Sequence, residues 1–318
     1  MNNKIISLFA GVGGIDLGFE QAGFETIYAN ELDKNARETY KLNFPNVKLD
    51  PRDIREIKKE DLPQDADIVT SGFPCQSFSI AGYRKGLEDE ENGDLFFETL
   101  RIAKAVNAEI IFLENVKNLV GHDKGKTFRI ILEALESNEY YVDYQVLNAL
   151  EFGNVAQNRE RIYIVAFKNK DHLAKFRFPK PIALRRTIRD FIDFETKQDP
   201  KYYYTEKNFK YYNELVNEMD DPTTLYQWRR RYVRKNKSGV CPTLTANMGT
   251  GGHNVPLIVT DSGEYRKLTP RETFNFQGFP KDFKLPVLAA GHLYKQAGNS
   301  VVVDVIERIA KNIKEAIQ

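Results

Sequence analysis

Short apolar runs alternate, through the first half of the chain, with segments whose apolar residues stand three or four apart. Lys4 to Phe9, Thr26 to Asn30, Ile68 to Ser71 and Ile110 to Leu113 predict strands. Ile15, Phe19 and Ala22, followed by Gly23, predict a helix after the first strand, and Lys34 to Leu42, Leu95 to Val106 and Thr127 to Ser137 predict three more. Strands and helices in alternation predict a parallel sheet with crossover helices, a doubly wound α/β fold. From about Arg185 to Lys267 the alternation dissolves into aromatic, charged and glycine-containing stretches, which predicts a smaller irregular or β-rich domain. Val302, Val305, Ile306, Ile309, Ala310 and Ile313 then predict a terminal helix, with Ser300 as its N-cap. The chain is expected to divide into 1–184, 185–267 and 268–318, the last returning to the first domain.

Composition sets the surroundings of this fold. No stretch approaches the roughly 20 apolar residues of a membrane span, and Met1-Asn2-Asn3-Lys4 runs into the first strand without a signal-peptide pattern, so a cytoplasmic protein is expected. The two cysteines, Cys75 and Cys241, are far apart, which gives no disulfide framework and suits a reducing compartment. The four histidines, His122, His172, His253 and His292, show no metal-ligand spacing, and no metal is expected. A formal net charge of +1 announces no nucleic-acid partner, so any such surface must lie in local clusters.

Candidate chemistry gathers at the predicted strand ends. Phe9-Ala10-Gly11-Val12-Gly13-Gly14 forms a glycine turn after the first strand, where backbone can approach a nucleotide-like ligand closely. By themselves the glycines also fit a plain tight turn. Glu31, about 20 residues on at the end of the second strand, adds a carboxylate suited to ribose hydroxyls. Asp16 stands where a dinucleotide fingerprint needs a third Gly or Ala, so a pyrophosphate fits poorly and an adenosine such as S-adenosylmethionine fits better. Asp53 and Ile54 offer a polar and an apolar contact for its adenine, although Asp53 is also an ordinary turn residue. Cys75 follows Pro74 where the third predicted strand leaves the sheet, a placement that suits a nucleophile better than a core thiol.

These segments together resemble the C5-cytosine DNA methyltransferases. The cofactor turn, Gly72-Phe73-Pro74-Cys75-Gln76, Glu114-Asn115-Val116 and Gln157-Asn158-Arg159-Glu160-Arg161 match that family's motifs, as do Arg271-Glu272, Gln277-Gly278-Phe279-Pro280 and Gly298-Asn299-Ser300, in the expected order. The resemblance covers the chain except Arg185 to Lys267. It implies transfer of methyl from S-adenosylmethionine, leaving S-adenosylhomocysteine, to cytosine C5, with Cys75 attacking C6, Glu114 assisting at N3, Arg161 on O2 and Arg159 steadying the neighbouring loop. It also implies that Leu32, Pro74, Leu95, Asn299 and Ser300 join the cofactor residues named above. The sequence departs from the pattern at Leu32, where many relatives carry an aromatic, at Arg52, where glycine is common, and at Thr273-Phe274-Asn275-Phe276.

A cytosine inside a duplex must be flipped out before a thiol can reach C6. The long polar segment Gln76 to Asp94 reads as a lid over DNA, with Ser79, Arg84 and Lys85 as contacts. Gln227 to Lys237 is the densest basic cluster, and Arg229, Arg230, Arg231 and Arg234 within it are candidate DNA contacts. Asn247 to His253, with Gly251 and Gly252, reads as a second recognition loop, and the resemblance places Thr243 between the two. Double-stranded DNA is the expected partner of a monomeric enzyme, in a restriction-modification setting with an endonuclease acting on the same site. Three rival readings remain open from sequence: an NAD-linked oxidoreductase, disfavoured by Asp16, a non-catalytic DNA-binding protein, and the same carbon chemistry on tRNA.

Overall fold

The computed structural model describes residues 1–74, 95–236, 239–250 and 254–318. Cys75, Ser79, Arg84 and Lys85, with the rest of the expected lid, and Gly251 and Gly252 of the expected recognition loop lie outside the described residues. The chain forms two compact units, Met1–Leu147 with Glu160–Lys180 and Val305–Gln318, and Asn148–Arg159 with Pro181–Asp304.

The first unit is built on β1 (Lys4–Leu8), β2 (Glu25–Asn30), β3 (Lys48–Asp50), β4 (Ile68–Ser71), β5 (Ile110–Val116), β6 (Tyr141–Asn148) and β7 (Glu160–Phe167). Among the described residues they make one seven-stranded sheet in the order β3-β2-β1-β4-β5-β7-β6. The pairings from β3 through β5 are parallel, and β7 runs antiparallel to β5. Helices α1 (Gly14–Gln21), α2 (Lys34–Asn43), α3 (Leu95–Ala105) and α4 (Lys126–Glu136) accompany it. Apolar residues in unbroken runs, rather than alternation, mark strands covered on both faces. Accordingly Ile5, Ile6, Ile68, Val69 and Ile110 to Leu113 are all buried.

Strand order reverses between β1 and β4, and open α/β sheets bind ligands in the crevice beyond the strand ends at such a point. The segments leaving β1, β2 and β4 carry Phe9 to Gly14, Glu31 and Gly72 to Pro74 respectively. The topology thus converges the candidate residues of three distant stretches on one sheet edge.

Two expectations need correction. β5 does not stop at Leu113: its ladder with β7 continues to Val116 opposite Arg161, so Glu114 lies within the strand rather than beyond it. The apolar run ends early because polar residues begin at Glu114, while backbone pairing goes on. The terminal helix spans Val303–Ala316, and Ser300 instead ends the preceding helix, Ala290–Asn299, donating its backbone N–H to the carbonyls of Gln296 and Ala297. The periodic face is as read, with Val305, Ile306, Ile309, Ala310 and Ile313 buried. It packs closely on α1, since a Cβ at Gly18 would stand 2.6 Å from Ile306 Cβ.

In the second unit β8 (Tyr203–Tyr204), β9 (Tyr226–Arg229), β10 (Tyr232–Lys235), β11 (Leu257–Val259) and β12 (Tyr265–Lys267) form an antiparallel sheet in the order β10-β9-β11-β12-β8. Leu215, Met219, Tyr226, Trp228, Val233, Leu257 and Val259 make its core, with Trp228 stacked on Tyr211 at 5.0 Å between ring centroids. A fully buried fork joins Arg266 to Glu272, 2.8 Å from Nη1 to Oε2 and 2.7 Å from Nη2 to Oε1, and Glu272 also receives the backbone N–H of Thr269 in a capping box.

Candidate active site

The turn after β1 is set by backbone handedness. Phe9, Gly11 and Gly13 have φ of 53°, 58° and 87°, and Phe9, with a Cβ, stores about 1–2 kcal/mol of strain there. A Cβ at Gly13 would stand 2.2 Å from the Phe44 ring, whereas one at Gly11 would meet nothing within 4 Å. Glu31 fastens this turn to the end of β2. Its Oε2 accepts from Gly11 N at 2.8 Å and its Oε1 from Asp33 N at 2.7 Å. Burial pushes the Glu31 carboxyl up and these two backbone donors work against the rise, leaving it raised.

Beside Glu31 opens a cleft of about 450 Å³ lined by Phe9, Asn30, Glu31, Leu32, Asp33, Asp53, Ile54, Arg55, Pro74 and Leu95. Phe9, Ile54, Pro74 and Leu95 supply apolar walls for a flat ring, and Glu31 and Asp53 supply carboxylates at its rim. An apolar slot with an acid beside it suits the base and ribose of an adenosine. Asp53 also caps the turn Ile54–Glu56, accepting from Arg55 N at 3.0 Å. Leu32 is 63% exposed. Asn30, Asp33 and Arg55 line the cleft without having been singled out from sequence. Asp33 had a legible signal as the N-cap of α2, accepting from Asn35 N and Ala36 N.

A second cluster lies where β4 and β5 end and β7 begins. Glu114 and Arg161 meet with Nε 3.2 Å from Oε1, at 12% and 13% side-chain exposure. Arg161 also donates from Nη1 to the Glu160 carbonyl at 2.8 Å. A Cβ at Gly72 would stand 3.7 Å from Glu114 Oε2, so the segment leading to Cys75 passes directly beside this carboxylate. Asn115 stands in a motif read from sequence, but its own part in the site was not legible there. Its Nδ2 donates to the Phe73 carbonyl at 2.8 Å and its Oδ1 accepts from Val116 N at 2.8 Å, tying the backbone two residues before Cys75 to β5.

The remaining candidates belong to the second unit. Arg159 is buried, donating from Nη1 to Leu244 O at 2.7 Å and from Nη2 to Gly298 O at 3.0 Å and to Ser300 O. Gln157 completes the frame, with Nε2 on Phe276 O at 2.6 Å and Oε1 accepting from Leu244 N at 3.2 Å. Asn299 and Ser300 end the helix held by Arg159, and a Cβ at Gly298 would collide with Thr245 backbone at 2.2 Å. Thr243 is exposed and its hydroxyl donates to Asn158 O at 2.6 Å. Cys241 is fully buried and burial pushes its thiol well up, which makes it a core residue.

The β9–β10 hairpin sorts the basic cluster. Tyr226, Trp228 and Val233 face the core, while Gln227, Arg229, Tyr232 and Arg234 share the other face and Arg230 and Arg231 form the turn. Lys235 is taken up by Asp220 at 3.0 Å and Asp221 at 3.2 Å. Arg229 Nη2 donates to Gln227 Oε1 at 3.1 Å. Among the described residues no group of His, Cys, Asp and Glu is arranged to hold a metal ion, and no helix is long and apolar enough to cross a membrane.

The chain is 65% identical over 315 residues to the type II methyltransferase M.Bsp6I of Bacillus sp. (strain RFL6), covering 99% of each. It is 36% identical over 328 residues to the type II methyltransferase M.HhaI of Haemophilus parahaemolyticus, covering 99% of this chain and 95% of that protein. The fold is similar to that of S. pombe Dnmt2 methyltransferase, with a TM-score of 0.75 at 20% identity over 99% of each chain. The profile of the C-5 cytosine-specific DNA methylases matches residues 3–315, and the chain belongs to that family.

Proposed function

We propose that this enzyme methylates C5 of a cytosine flipped out of a short duplex DNA site, using S-adenosylmethionine and a transient bond between Cys75 Sγ and C6. The observation that carries the reading is the Glu114–Arg161 pair, set beside Gly72 and three residues short of Cys75, with Asn115 holding the intervening backbone. Phe9, Ile54, Pro74 and Leu95 would hold S-adenosylmethionine in the cleft, with Glu31 for its ribose, and it would supply a methyl group on a cationic sulfur.

Cytosine C5 is too weak a nucleophile to take that methyl unaided. Addition of the Cys75 thiolate to C6 places electron density on C5 and N3. Glu114 stabilises this change by a hydrogen bond at N3, and Arg161 both orients the Glu114 carboxyl and binds O2. Once C5 is methylated, loss of its proton and elimination of Cys75 restore the aromatic ring and the free thiolate. Arg159 acts at a distance, as the buried brace of Leu244, Gly298 and Ser300.

Sequence selection is assigned to residues 185–267, with Arg229, Arg230, Arg231 and Arg234 facing DNA and Thr243, Gly251 and Gly252 assisting; Ser79, Arg84 and Lys85 are assigned further DNA contacts. The type II methyltransferase relatives support a place in a restriction-modification system; within it we propose a monomeric cytoplasmic enzyme accompanied by an endonuclease of the same site. A duplex carrying 5-fluorocytosine tests the chemistry, because fluorine cannot leave as a proton. Mass spectrometry should find DNA attached at Cys75 in the presence of cofactor, with no adduct for Cys75→Ala. Adduct-free wild type that still methylates normal DNA would overturn the covalent route.

A further inference from the structure

We propose that Arg52 is a positioning residue for cofactor binding, clamping the turn that carries Asp53, Ile54 and Arg55 into the cleft wall. The inference rests on the cofactor reading given above and concerns a position where this chain departs from the glycine common in the family.

Between β3 and β4 the chain has little regular structure, only the single turns Ile54–Glu56 and Lys59–Asp61. Segments of this kind open locally unless side chains tie them down. Arg52 supplies the tie. Its Nε lies 3.0 Å from Asp50 Oδ1 and its Nη2 2.6 Å from Asp50 Oδ2, a fork-to-fork pair, while Nη1 reaches Asp61 Oδ2 at 3.0 Å. One guanidinium thereby joins the strand end before the turns to the last residue of the second turn. Asp61 Oδ2 in turn accepts from Lys58 N at 3.0 Å.

The clamp is connected to the cleft through its own backbone. Asn30, a lining residue, donates from Nδ2 to the carbonyls of Asp50 at 3.1 Å and Arg52 at 2.9 Å. Asp50 is itself anchored by the Tyr28 hydroxyl at 2.7 Å. From the other side Arg101 donates to Ile57 O and Ile54 O, each at 2.9 Å. Asp53 to Arg55 therefore stand between two arginine clamps. Burial pushes the Asp50 carboxyl up, yet the Arg52 side chain and N–H, with the Tyr28 hydroxyl, overcome this and hold it at about 2, so it stays an anion for Arg52 across the working pH range. Lysine cannot replace the fork, because a single ammonium lacks the paired planar donors that reach Asp50 and Asp61 together. Arg52 does not line the cleft, so its influence passes through Asn30, Asp53 and Ile54.

The test is calorimetric titration of full-length protein with S-adenosylhomocysteine, alongside kinetics with varied S-adenosylmethionine. Arg52→Ala should weaken binding about tenfold and raise the cofactor KM by a similar factor, with kcat at saturating cofactor nearly held. Asp61→Asn, which leaves the Asp50 fork intact, should weaken binding by a smaller factor, and Arg52→Lys should fall between wild type and alanine. Lys4→Met breaks the Lys4–Asp65 surface pair at the start of β1 and should leave binding unchanged. Where Arg52→Ala loses the fold, Asp61→Asn and Arg52→Lys decide, and unchanged binding in both overturns the proposal. A fall in kcat without a change in KM also overturns it. Wild type that binds no S-adenosylhomocysteine overturns the cofactor reading itself, whereas wild type that binds, with variants that bind equally well, overturns only the role of Arg52.

Discussion

Glu114 and Arg161 stand at diagonal positions on neighbouring antiparallel strands, because β5 pairs Glu114 with Tyr163 and Val116 with Arg161. Residues two apart on a strand share a face, so this register alone points both side chains to the same side of the sheet. Their contact at 3.2 Å follows from the ladder, and the ladder exists because β7 turns back along β5 instead of joining it in parallel.

If that pair serves the ring nitrogen, Glu114→Gln should lower the single-turnover methylation rate by about 10²–10⁴-fold, the usual contribution of a positioned acid or base. DNA affinity measured by gel shift should stay near wild type. Arg161→Lys should not restore the rate, since an ammonium lacks the guanidinium geometry that holds the Glu114 carboxyl and the Glu160 carbonyl together. A Glu114→Gln rate close to wild type would remove this carboxylate from the chemistry.

Gly11 and Gly13, two of the three glycines of the cofactor turn, should differ in what they tolerate. Gly13→Ala combines a left-handed backbone with a Cβ driven into the Phe44 ring, and should cost about 2–4 kcal/mol of stability. Gly11→Ala meets open space and bears only the backbone penalty, about 1–2 kcal/mol. Urea denaturation of both variants checks the order, and equal losses would mean that crowding at Phe44 relaxes without cost.

Much of the first unit was legible because its determinants are local. Unbroken apolar runs located β1 and β4, the spacing of Val305 to Ile313 located the buried face of the last helix, and glycines marked the left-handed turn. Contacts that hold the candidate residues of each unit are not local. Asn115 on Phe73 O spans 42 residues and Arg159 on Gly298 O spans 139, and no periodicity encodes such pairs. The basic cluster shows the intermediate case. From sequence, Gln227 to Lys237 reads as one basic cluster, but strand alternation puts its Trp228 in the core and leaves Tyr232 outside with the arginines.

Asp16 gives the first unit a pH dependence of unusual sign. It is fully buried in the first turn of α1, and the hydroxyls of Ser7, Tyr40 and Thr26 stand around it without closing a hydrogen bond of normal geometry to either oxygen. Burial, with Glu20 adding to it and the hydroxyls opposing, pushes its carboxyl up to about 7. The folded protein then binds more protons than the unfolded chain between about pH 4 and 7, so this group's contribution falls as pH rises through that window. Its loss above pH 7 is on the order of 4 kcal/mol. Asp16→Asn should therefore be more stable than wild type at pH 8 and lose that advantage near pH 4. Denaturation midpoints that shift in parallel for both proteins across this range would show that Asp16 titrates normally.

The hairpin arginines and Lys235 are close in sequence yet should respond differently to salt. Neutralising a phosphate releases counterions, so each lysine or arginine on DNA adds about 0.9 to the slope of log affinity against log salt. Arg230 and Arg231 sit at the β9–β10 turn, while Arg229 and Arg234 share the face away from the Trp228 core. Lys235 is already matched by Asp220 and Asp221, and breaking those pairs would offset what it gained on a phosphate. Replacing Arg230 or Arg231 by Gln should each lower the slope by about 0.9, and Lys235→Gln should leave it nearly unchanged. Fluorescence anisotropy of a labelled duplex over a salt series measures this directly. A slope that falls for Lys235→Gln and holds for the arginine variants would place the DNA-binding face elsewhere on the unit.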